Sequence, residues 1–446
     1  MTLTAPAAPS RLDGKWVNAP RRISGIAIGW PLWCVVGGYP IAWILGLRLV
    51  VWPLVAVLLV FWMLRNCETN LVVPRCVVVW VAFVGWTLIS VLTVHSANRL
   101  MAWGYRESLY LTALVVLVFC VNVTPREVPT WRFARAFAQL FTWTVLLGTL
   151  GLLMPDLNLT TPTELVLPQS LSHIDFIATQ VQANMGVTAT AIDAVRPAAP
   201  YGYTNEWGAA LGMLWPLAMY STSYVRTRRA RLWLRLMLAF SIVPVIISVN
   251  RGLWVSLIVA LAVVVIRAGI SRHVRTTITA FVVAAGAAAV ILLTPLSDVI
   301  SNRLGHENLS TRETLASGAV ELTRQSPLFG YGAPQTVSVA NSNDVAVGTH
   351  GQIYTLLVSH GIPGAVFYIA FFLAALYVTR KVSGPAVWAW AAIVVCLVQL
   401  PFYNSIPVPL VLAMMATACC LRELGWRGRP PPPQPSPIID RQTLVR

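Results

Sequence analysis

The chain has 446 residues, of which 57% are hydrophobic and only 11% are charged. Soluble domains average about 45–50% apolar and about 25% charged residues, so this composition excludes a soluble enzyme, a disordered protein and a receptor with a single membrane anchor. The 32 Lys and Arg residues outnumber the 16 Asp and Glu residues, which gives a net charge of +16. The seven cysteines form neither a disulfide framework nor a metal-ligand spacing.

Apolar segments long enough to cross a bilayer recur along most of the chain. A transmembrane helix needs roughly 17–25 predominantly apolar residues. Windows of about that length predict an all-α polytopic membrane protein with about twelve transmembrane helices. The predicted spans are 26–45, 49–64, 77–94, 108–123, 136–154, 207–224, 236–250, 252–266, 276–295, 362–379, 385–401 and 406–421. Tight turns are required near Arg48 and at Ser248–Gly252, where successive spans almost touch.

The charged residues indicate how these spans are oriented. With the N-terminus in the cytoplasm, 24 Lys and Arg residues fall on the inner side and eight on the outer side. Five acidic residues fall inside and eleven outside. Because cytoplasmic connections of multi-pass proteins are rich in Lys and Arg, the charge of +16 is an orientation signal. We therefore expect both termini inside and no nucleic-acid partner.

The hydropathy pattern divides the chain into three regions. Residues 1–23 form a polar cytoplasmic segment in which we expect no cleavable signal peptide. Residues 24–425 form the membrane domain, and residues 426–446 form a proline-rich cytoplasmic tail that we expect to be unstructured. These features predict a protein of the cytoplasmic (plasma) membrane.

Two outer connections, at about 155–206 and about 296–361, are much longer than the others. Long loops in compact proteins are usually functional or disordered, and the apolar content of these two does not favour disorder. In the second loop, Ser310-Thr-Arg-Glu313 matches a capping box and predicts a short helix. We expect that helix to stop near Ser326-Pro327, before the Phe329-Gly-Tyr-Gly332 turn.

A twelve-span transporter is one alternative reading of this pattern. Transporters usually carry ionisable groups near the bilayer midplane, around their substrate and ion sites. Here the middle of each predicted span is nearly free of charge, and the charges of interest cluster at the outer boundary. The pattern therefore disfavours a transporter.

Four basic residues in or beside the outer loops are candidate ligands: Arg196, Arg251, Arg312 and His350. An arginine at a membrane edge often only extends its guanidinium to the headgroups. We favour that explanation for Arg303 and Arg324, and we keep Arg303 as a candidate substrate contact. For His306 and His360 we favour an ordinary surface position, which is usual for an isolated loop histidine.

Arg312 and His350 have the most unusual sequence contexts. Arg312 falls in the first turn of the predicted loop helix, where a cation opposes the helix macrodipole. A bound anion would explain this position, because free backbone N–H groups and a guanidinium would converge on it. His350 is flanked by Gly348 and Gly351, which indicates a close approach of another group.

Several fixed cations and one titratable base at headgroup depth predict a lipid diphosphate as ligand. Arginine binds phosphate oxygens with two parallel hydrogen bonds, and a neutral histidine can take a proton from an attacking hydroxyl. The sequence shows neither a nucleotide-binding glycine-rich loop nor an outer-face cluster of Asp and Glu for a metal. We therefore expect no metal and no other cofactor.

Three stretches of the membrane domain resemble the O-antigen ligase and O-antigen polymerase (Wzy-like) superfamily. Arg196 followed by Tyr201-Gly-Tyr-Thr-Asn-Glu-Trp-Gly208 is similar to the family's Arg, Gly and Asn run before a span. Ser248-Val-Asn-Arg-Gly-Leu-Trp254 resembles its Ser-Arg-Gly-x-Trp joint, with Asn250 where serine is usual.

The third stretch resembles the family most clearly. Thr311-Arg-Glu-Thr-Leu-Ala-Ser-Gly-Ala319 is followed by Ser326-Pro-Leu-Phe-Gly-Tyr-Gly332, and then by His350 and Gly361-Ile-Pro-Gly364. The family pattern is His, a polar residue, nine residues and Gly-x-x-Gly, and ten residues separate His350 from Gly361. Gly351 departs from it by replacing the polar residue, and Gln352 follows one position later.

The resemblance implies a GT-C-like membrane glycosyltransferase acting at the outer face of the membrane. It would move a glycan from a polyprenyl-diphosphate carrier to an acceptor, which is a glycan or a lipid, with inversion at the anomeric carbon. It implies that His350 is the base and that Arg251 and Arg312 neutralise the diphosphate. Further substrate-binding candidates are Arg196, Tyr203, Asn205, Gln352 and Arg303. A chain-length regulator is a candidate protein partner.

The sequence leaves two other functions open. A flippase or exporter of the same lipid-linked glycan would need charges along a path across the membrane, which the spans do not show. A polymerase of the peptidoglycan shape-and-division family would rely on an outer-loop aspartate, for which Asp175, Asp193 and Asp344 are the central candidates. The sequence does not distinguish polymerase from ligase, because the two differ only in the acceptor.

Overall fold

The computed structural model describes residues 28–425 except for gaps at 67–70, 126, 169–170, 172–173, 190–193, 249, 271–308, 338–344 and 348–350. Before residue 28 it describes four short strands that pair as two hairpins, β1 (Arg11–Leu12) with β2 (Lys15–Trp16) and β3 (Arg22–Ile23) with β4 (Ile26–Ala27). The predicted span 276–295 and the candidates Arg303 and His350 lie outside the described residues.

Helices make up most of the described chain, and most of them are apolar. They are α1 (Trp30–Gly37), α2 (Tyr39–Ile44), α3 (Arg48–Asn66), α4 (Arg75–Ile89), α5 (Ala97–Asn122), α6 (Thr130–Leu153), α7 (Pro162–Val166), α8 (Asp175–Val181), α9 (Thr204–Ser221), α10 (Arg228–Phe240), α11 (Ile242–Ile247), α12 (Arg251–Ile270), α13 (Leu309–Gln325), α14 (Gln352–Val378), α15 (Ala386–Gln399) and α16 (Val408–Glu423). A 3₁₀ helix at Ser90–Thr93 extends α4.

Helices cover most of each predicted span within the described residues, although strand β4 occupies the first two residues of the span at 26–45. The described chain is thus mostly helical, as the predicted membrane class requires. By length and composition, six described helical segments could cross a membrane: Arg48–Arg65, Arg75–Thr93, Ala97–Asn122, Thr130–Leu153, Arg228–Ile247 and Gln352–Val378. The total of about twelve spans stays a prediction.

Prolines and a glycine break two of the predicted spans. The span at 26–45 is two helices, α1 and α2, that meet at Gly38. Pro40 lacks the N–H that would donate to the carbonyl of Val36, so a continuous helix would lose a hydrogen bond there. Pro244 acts in the same way on Phe240, which is where α10 ends and α11 follows.

The predicted boundaries are less accurate than the predicted helices. Helix α5 begins at Ala97, eleven residues before the predicted span, and α14 begins at Gln352, ten residues before its span. Both early segments contain polar side chains that face the protein interior, such as Glu107 and Gln352. A hydropathy window stops at such residues, whereas the backbone continues its hydrogen bonding through them.

The centre of the bundle is formed by α9 and α16. Every residue from 207 to 218 and from 408 to 421 is buried. A helix that is apolar on all sides needs such surroundings. On the outside, Leu54, Val57, Phe61 and Leu64 of α3 form one stripe at helical spacing, and each side chain is more than half exposed. A stripe of this kind is suited to contact with lipid chains.

The described part of the first long loop contains short antiparallel pairs of strands. Strand β5 (Asn158–Leu159) pairs with β6 (Ala183–Asn184), and β7 (Gly186–Ala189) pairs with β8 (Ala194–Pro197). In the second loop, β9 (Gln335–Val337) pairs with β10 (Val345–Val347). Both loops therefore contain regular structure next to the helix ends that carry the candidate residues.

Candidate functional site

The loop between α15 and α16, residues 400–407, holds the start of α14 in place. The backbone N–H of Gln352 donates to the carbonyl of Tyr403 at 2.8 Å, and that of Ile353 donates to Leu400 at 3.0 Å. In return, the N–H of Ser405 donates to Oε1 of Gln352 at 3.0 Å. The 400–407 loop therefore fixes the position of Gln352. His350 lies only two residues before Gln352 in the sequence.

The same loop also holds the start of α12. The hydroxyl of Tyr403 donates to Oδ1 of Asn250, and this oxygen accepts the N–H of Leu253 at 3.4 Å. A Cβ at Gly252 would lie only 2.6 Å from the Tyr403 hydroxyl, so the close approach of α12 requires glycine there. Arg251 is thus flanked on both sides by residues that contact Tyr403.

Gln352 is buried, and its amide serves contacts within the protein. Besides accepting from Ser405, the side chain donates to the hydroxyl of Tyr110 at 3.4 Å. These bonds hold the start of α14 in place, and the role of Gln352 in substrate binding stays a prediction.

An ion pair that sequence reasoning overlooked organises the turn before α9. Arg48, at the start of α3, is buried, and its guanidinium lies 3.8 Å from the carboxylate of Glu206. The guanidinium also donates to the carbonyls of Thr179 and, at 3.4 Å, Gln182 at the end of α8. The carboxylate of Glu206 accepts the N–H of Gly202 at 3.0 Å. A buried charge of this kind needs such partners, because losing its hydration is costly.

The turn that leads into α9 presents two candidate residues. Tyr201 is buried and shares a hydrogen bond of 2.8 Å with Thr144 of α6. Close to Tyr201 in the sequence, the Tyr203 side chain is 49% exposed, and Asn205 is partly exposed in the first turn of α9. These two residues are therefore accessible for binding. Arg196 lies in β8, opposite Val187 of β7, and is half-buried.

Helix α13 and the turn after it are packed onto a kink in α14. Gly361 has φ of +68° within α14, and Ile362 donates its N–H to the carbonyl of Pro327 at 2.8 Å. The N–H groups of Tyr331 and Gly332 donate to Val358 and Ser359 at 2.9 and 2.7 Å.

The kink therefore leaves α14 carbonyls without helical partners, and the turn supplies donors for them. Leu315 and Ala319 of α13 pack against Val358 of α14. Two motifs that are far apart in the sequence, at 326–332 and 361–364, form one unit in this way.

The predicted loop helix is confirmed as α13, which ends at Gln325 just before Ser326-Pro327. It begins at Leu309, so Ser310 lies inside the helix and is not the N-cap that the predicted capping box requires. Arg312 falls in the first turn as expected, although its side chain lies outside the described residues. Helix α13 packs on α14, and α14 begins on the 400–407 loop, which also contacts the start of α12 next to Arg251.

The sequence predicts an ordinary surface position for His360, and the structure shows that this prediction is wrong. The side chain is fully buried, with a hydrogen bond of 2.8 Å between its Nδ1 and Oγ of Ser90. Its backbone carbonyl accepts from Nε1 of Trp86 at 3.0 Å. His306 lies outside the described residues.

Within the described ranges, no group of three or more His, Cys, Asp or Glu side chains is arranged to hold a metal ion. The roles of His350, Arg312, Arg303, Arg251, Arg196, Tyr203, Asn205 and Gln352 stay predictions.

A family model described as O-antigen ligase matches residues 236–369, which is less than a third of the chain. The matched segment contains Arg251, Arg303, Arg312 and His350 and ends within α14. It confirms the resemblance to the O-antigen ligase and polymerase family, and it supports a membrane enzyme of the polysaccharide ligase or polymerase kind. No curated protein matches the chain at a significant level.

Proposed function

We propose that this chain, whose residues 236–369 match the O-antigen ligase family, is a polysaccharide polymerase or ligase of the cytoplasmic membrane. It transfers a glycan from a polyprenyl-diphosphate carrier to an acceptor hydroxyl at the outer face. The observation that carries this proposal is the 400–407 loop, which brings the start of α12 with Arg251 to the start of α14, two residues after His350.

In the proposed reaction, His350 accepts the proton of the acceptor hydroxyl while the hydroxyl oxygen attacks the anomeric carbon. The bond between that carbon and the diphosphate oxygen breaks, and the diphosphate leaves with the electron pair. The attack from the opposite side inverts the anomeric configuration. Arg251 and Arg312 bind and neutralise the departing diphosphate, with Arg196 in support. Electrostatic stabilisation of this kind supplies a large share of the rate in such reactions.

The neighbouring residues have narrower roles in this mechanism. Tyr203 and Asn205 are accessible at the start of α9 and can donate or accept hydrogen bonds with sugar hydroxyls. Gln352 positions the segment that carries His350. Arg303 is a further contact for the carrier phosphate. The arginines make a metal unnecessary for neutralising the diphosphate.

The test uses purified full-length protein with a polyprenyl-diphosphate-linked oligosaccharide, a metal chelator and no nucleotide sugar. We expect the wild type to lengthen or transfer the glycan and to release the carrier diphosphate. His350→Ala should lower the rate by about 10²-fold or more, the range measured for loss of a general base. His306→Ala, which removes a histidine from the same long loop, is the matched control and should keep its activity.

Transfer by His350→Ala at the wild-type rate would overturn the proposed base. The acceptor consumed by the wild type separates the two activities, because a polymerase extends a carrier-linked glycan and a ligase uses a different acceptor. Tight carrier binding without any product from the wild type would instead favour a flippase.

A further inference from the structure

A dense cluster of arginines lies around the start of α10, far from the candidate active site. Arg226, Arg228, Arg229 and Arg235 are all exposed, and we call these four residues the α10 basic surface. Among the described residues, none of these four guanidinium groups is paired with a carboxylate. The sequence contains no acidic residue between Glu206 and Asp298, so the charge of this surface is not compensated from within its own part of the chain.

The helix that carries this surface also exposes large apolar side chains. Leu234, Met237 and Leu238 are buried against the bundle. On the other side of the helix, Leu232, Trp233 and Leu236 are each about half exposed. A helix with exposed apolar side chains next to a basic surface is suited to the boundary between acyl chains and headgroups. The apolar residues would contact the chains while the arginines reach the phosphates.

The α10 basic surface is at the opposite end of the bundle from the 400–407 loop. Helix α9 starts beside that loop, where Gly208 approaches Asn250 and Tyr403, and it runs for 18 residues toward α10. At 1.5 Å per residue this is roughly 27 Å, close to the hydrocarbon thickness of a bilayer, about 30 Å. A ligand at the α10 basic surface is therefore distinct from a diphosphate at the candidate active site.

The α10 basic surface contacts the start of α6, which also carries arginines. The guanidinium of Arg226 lies 4.3 Å from the ring centroid of Trp131, next to the start of α6. Helix α6 adds Arg132 and Arg135 to the same end of the bundle, and Arg135 is exposed. This cation–π contact fixes the chain just before α10, so the arginines of α10 and α6 are held together as one positively charged area.

We infer that the α10 basic surface binds the phosphate groups of anionic phospholipids in the membrane leaflet at its end of the bundle. Guanidinium groups bind phosphate oxygens through charge-assisted hydrogen bonds. Clusters of basic residues next to a membrane helix attract anionic lipids, and each adds to the attraction. The exposed side chains of Leu232, Trp233 and Leu236 favour a lipid over a free phosphate. The inference is independent of the transferase activity proposed above.

The experiment measures lipid selectivity directly. Full-length protein is purified in a non-ionic detergent, freed of lipid and titrated with phosphatidylglycerol or phosphatidylcholine of identical acyl chains, and bound lipids are counted by native mass spectrometry. We expect the wild type to prefer phosphatidylglycerol. The triple variant Arg228→Gln, Arg229→Gln, Arg235→Gln should lose about tenfold or more of this preference.

A matched variant distinguishes binding at the α10 basic surface from a general attraction of anionic lipid to the net charge of the protein. Arg65→Gln, Arg380→Gln, Lys381→Gln removes three exposed cations from the same predicted side of the membrane but outside the α10 basic surface. This variant should keep the wild-type preference. An equal loss in both variants would overturn the inference, because it would show attraction to net charge alone.

Two further measurements test for misfolding of the variant and for binding of a free headgroup. A triple Arg→Lys variant at the three α10 positions retains the charge and should retain most of the preference, which guards against misfolding of the glutamine variant. Glycerol phosphate, a soluble headgroup, should compete poorly for the wild type. Displacement of the lipid by glycerol phosphate at equal concentration, or an unchanged preference in the glutamine variant, would contradict the proposal.

Discussion

Asn250 stands where the similar family usually has serine, and its side chain accepts a hydrogen bond from Tyr403. In the sequence, Asn250 is recognisable only as a departure from a motif. Nothing in the sequence around Tyr403 predicts a role for it, apart from its position between Pro401 and Pro407. The two residues are 153 positions apart, so no local pattern connects them. Arg48 and Glu206 form a second such pair across distant segments.

At this scale we predict that Tyr403→Phe lowers transferase activity by about tenfold or more. Loss of the hydroxyl releases Asn250 and lets Arg251 move, and misplacement by about 1 Å can cost 10²-fold in rate. The free energy of unfolding should fall by only about 1 kcal/mol, which is the typical net contribution of one hydrogen bond to stability. Diphosphate release and thermal unfolding are the measurements.

Tyr377→Phe is the control for this change, because Tyr377 is exposed at the far end of α14. Equal activity in the two variants would show that the Tyr403 hydroxyl does not position the site.

The helices show how a short stretch of backbone can join two distant motifs. Hydropathy predicts a span that begins at 362, but α14 begins at Gln352 and kinks at Gly361. The apolar window finds only the part after the kink. The end of α13 could be predicted because Pro327 and the glycines after it stop a helix locally. The packing of α13 and its turn against α14 could not, because it depends on carbonyls that the kink makes available.

At the scale of elements, we predict that Gly361→Ala detaches α13 from α14. The residue has φ of +68°, and an added Cβ would lie 2.3 Å from the carbonyl oxygen of Leu328. Its ψ is −172°, and in this region, which is essentially restricted to glycine, another residue costs about 1–3 kcal/mol before the clash is counted. Hydrogen exchange should therefore rise in 309–332 while the central helices α9 and α16 stay protected.

Gly104→Ala in α5 is the matched control, since an added Cβ there meets no atom within 4 Å. That change should leave hydrogen exchange unchanged or stabilise α5 by about 1 kcal/mol. Unchanged exchange in 309–332 for Gly361→Ala would refute the role assigned to the kink.

For the molecule as a whole, two ends of the bundle differ in chemistry. One end carries the long loops, the 400–407 loop and the candidate active site. The other carries the arginines at the starts of α6 and α10 and the ends of α12 and α14. This separation agrees in direction with the excess of basic residues on the predicted inner side.

At this scale we predict opposite accessibility for two introduced cysteines. In a cysteine-free background, Ser96→Cys before α5 should react with a membrane-impermeant maleimide in intact cells. Ser223→Cys between α9 and α10 should react only after the membrane is opened. Both side chains are exposed in the structure, so burial does not explain a difference. Labelling of Ser223→Cys in intact cells would reverse the proposed orientation.

The sequence by itself determined the membrane class, the approximate positions of the described helices and the short motifs that resemble the O-antigen ligase family. These properties depend on hydropathy, charge and short motifs, which are local along the chain. Only the tertiary structure decided that Tyr403 connects the starts of α12 and α14, that Arg48 holds the turn before α9, and that the 326–332 turn supplies the hydrogen bonds missing at the kink. Each of these is a contact between groups far apart in sequence, and it forms because buried polar groups must find partners wherever the packed helices bring them.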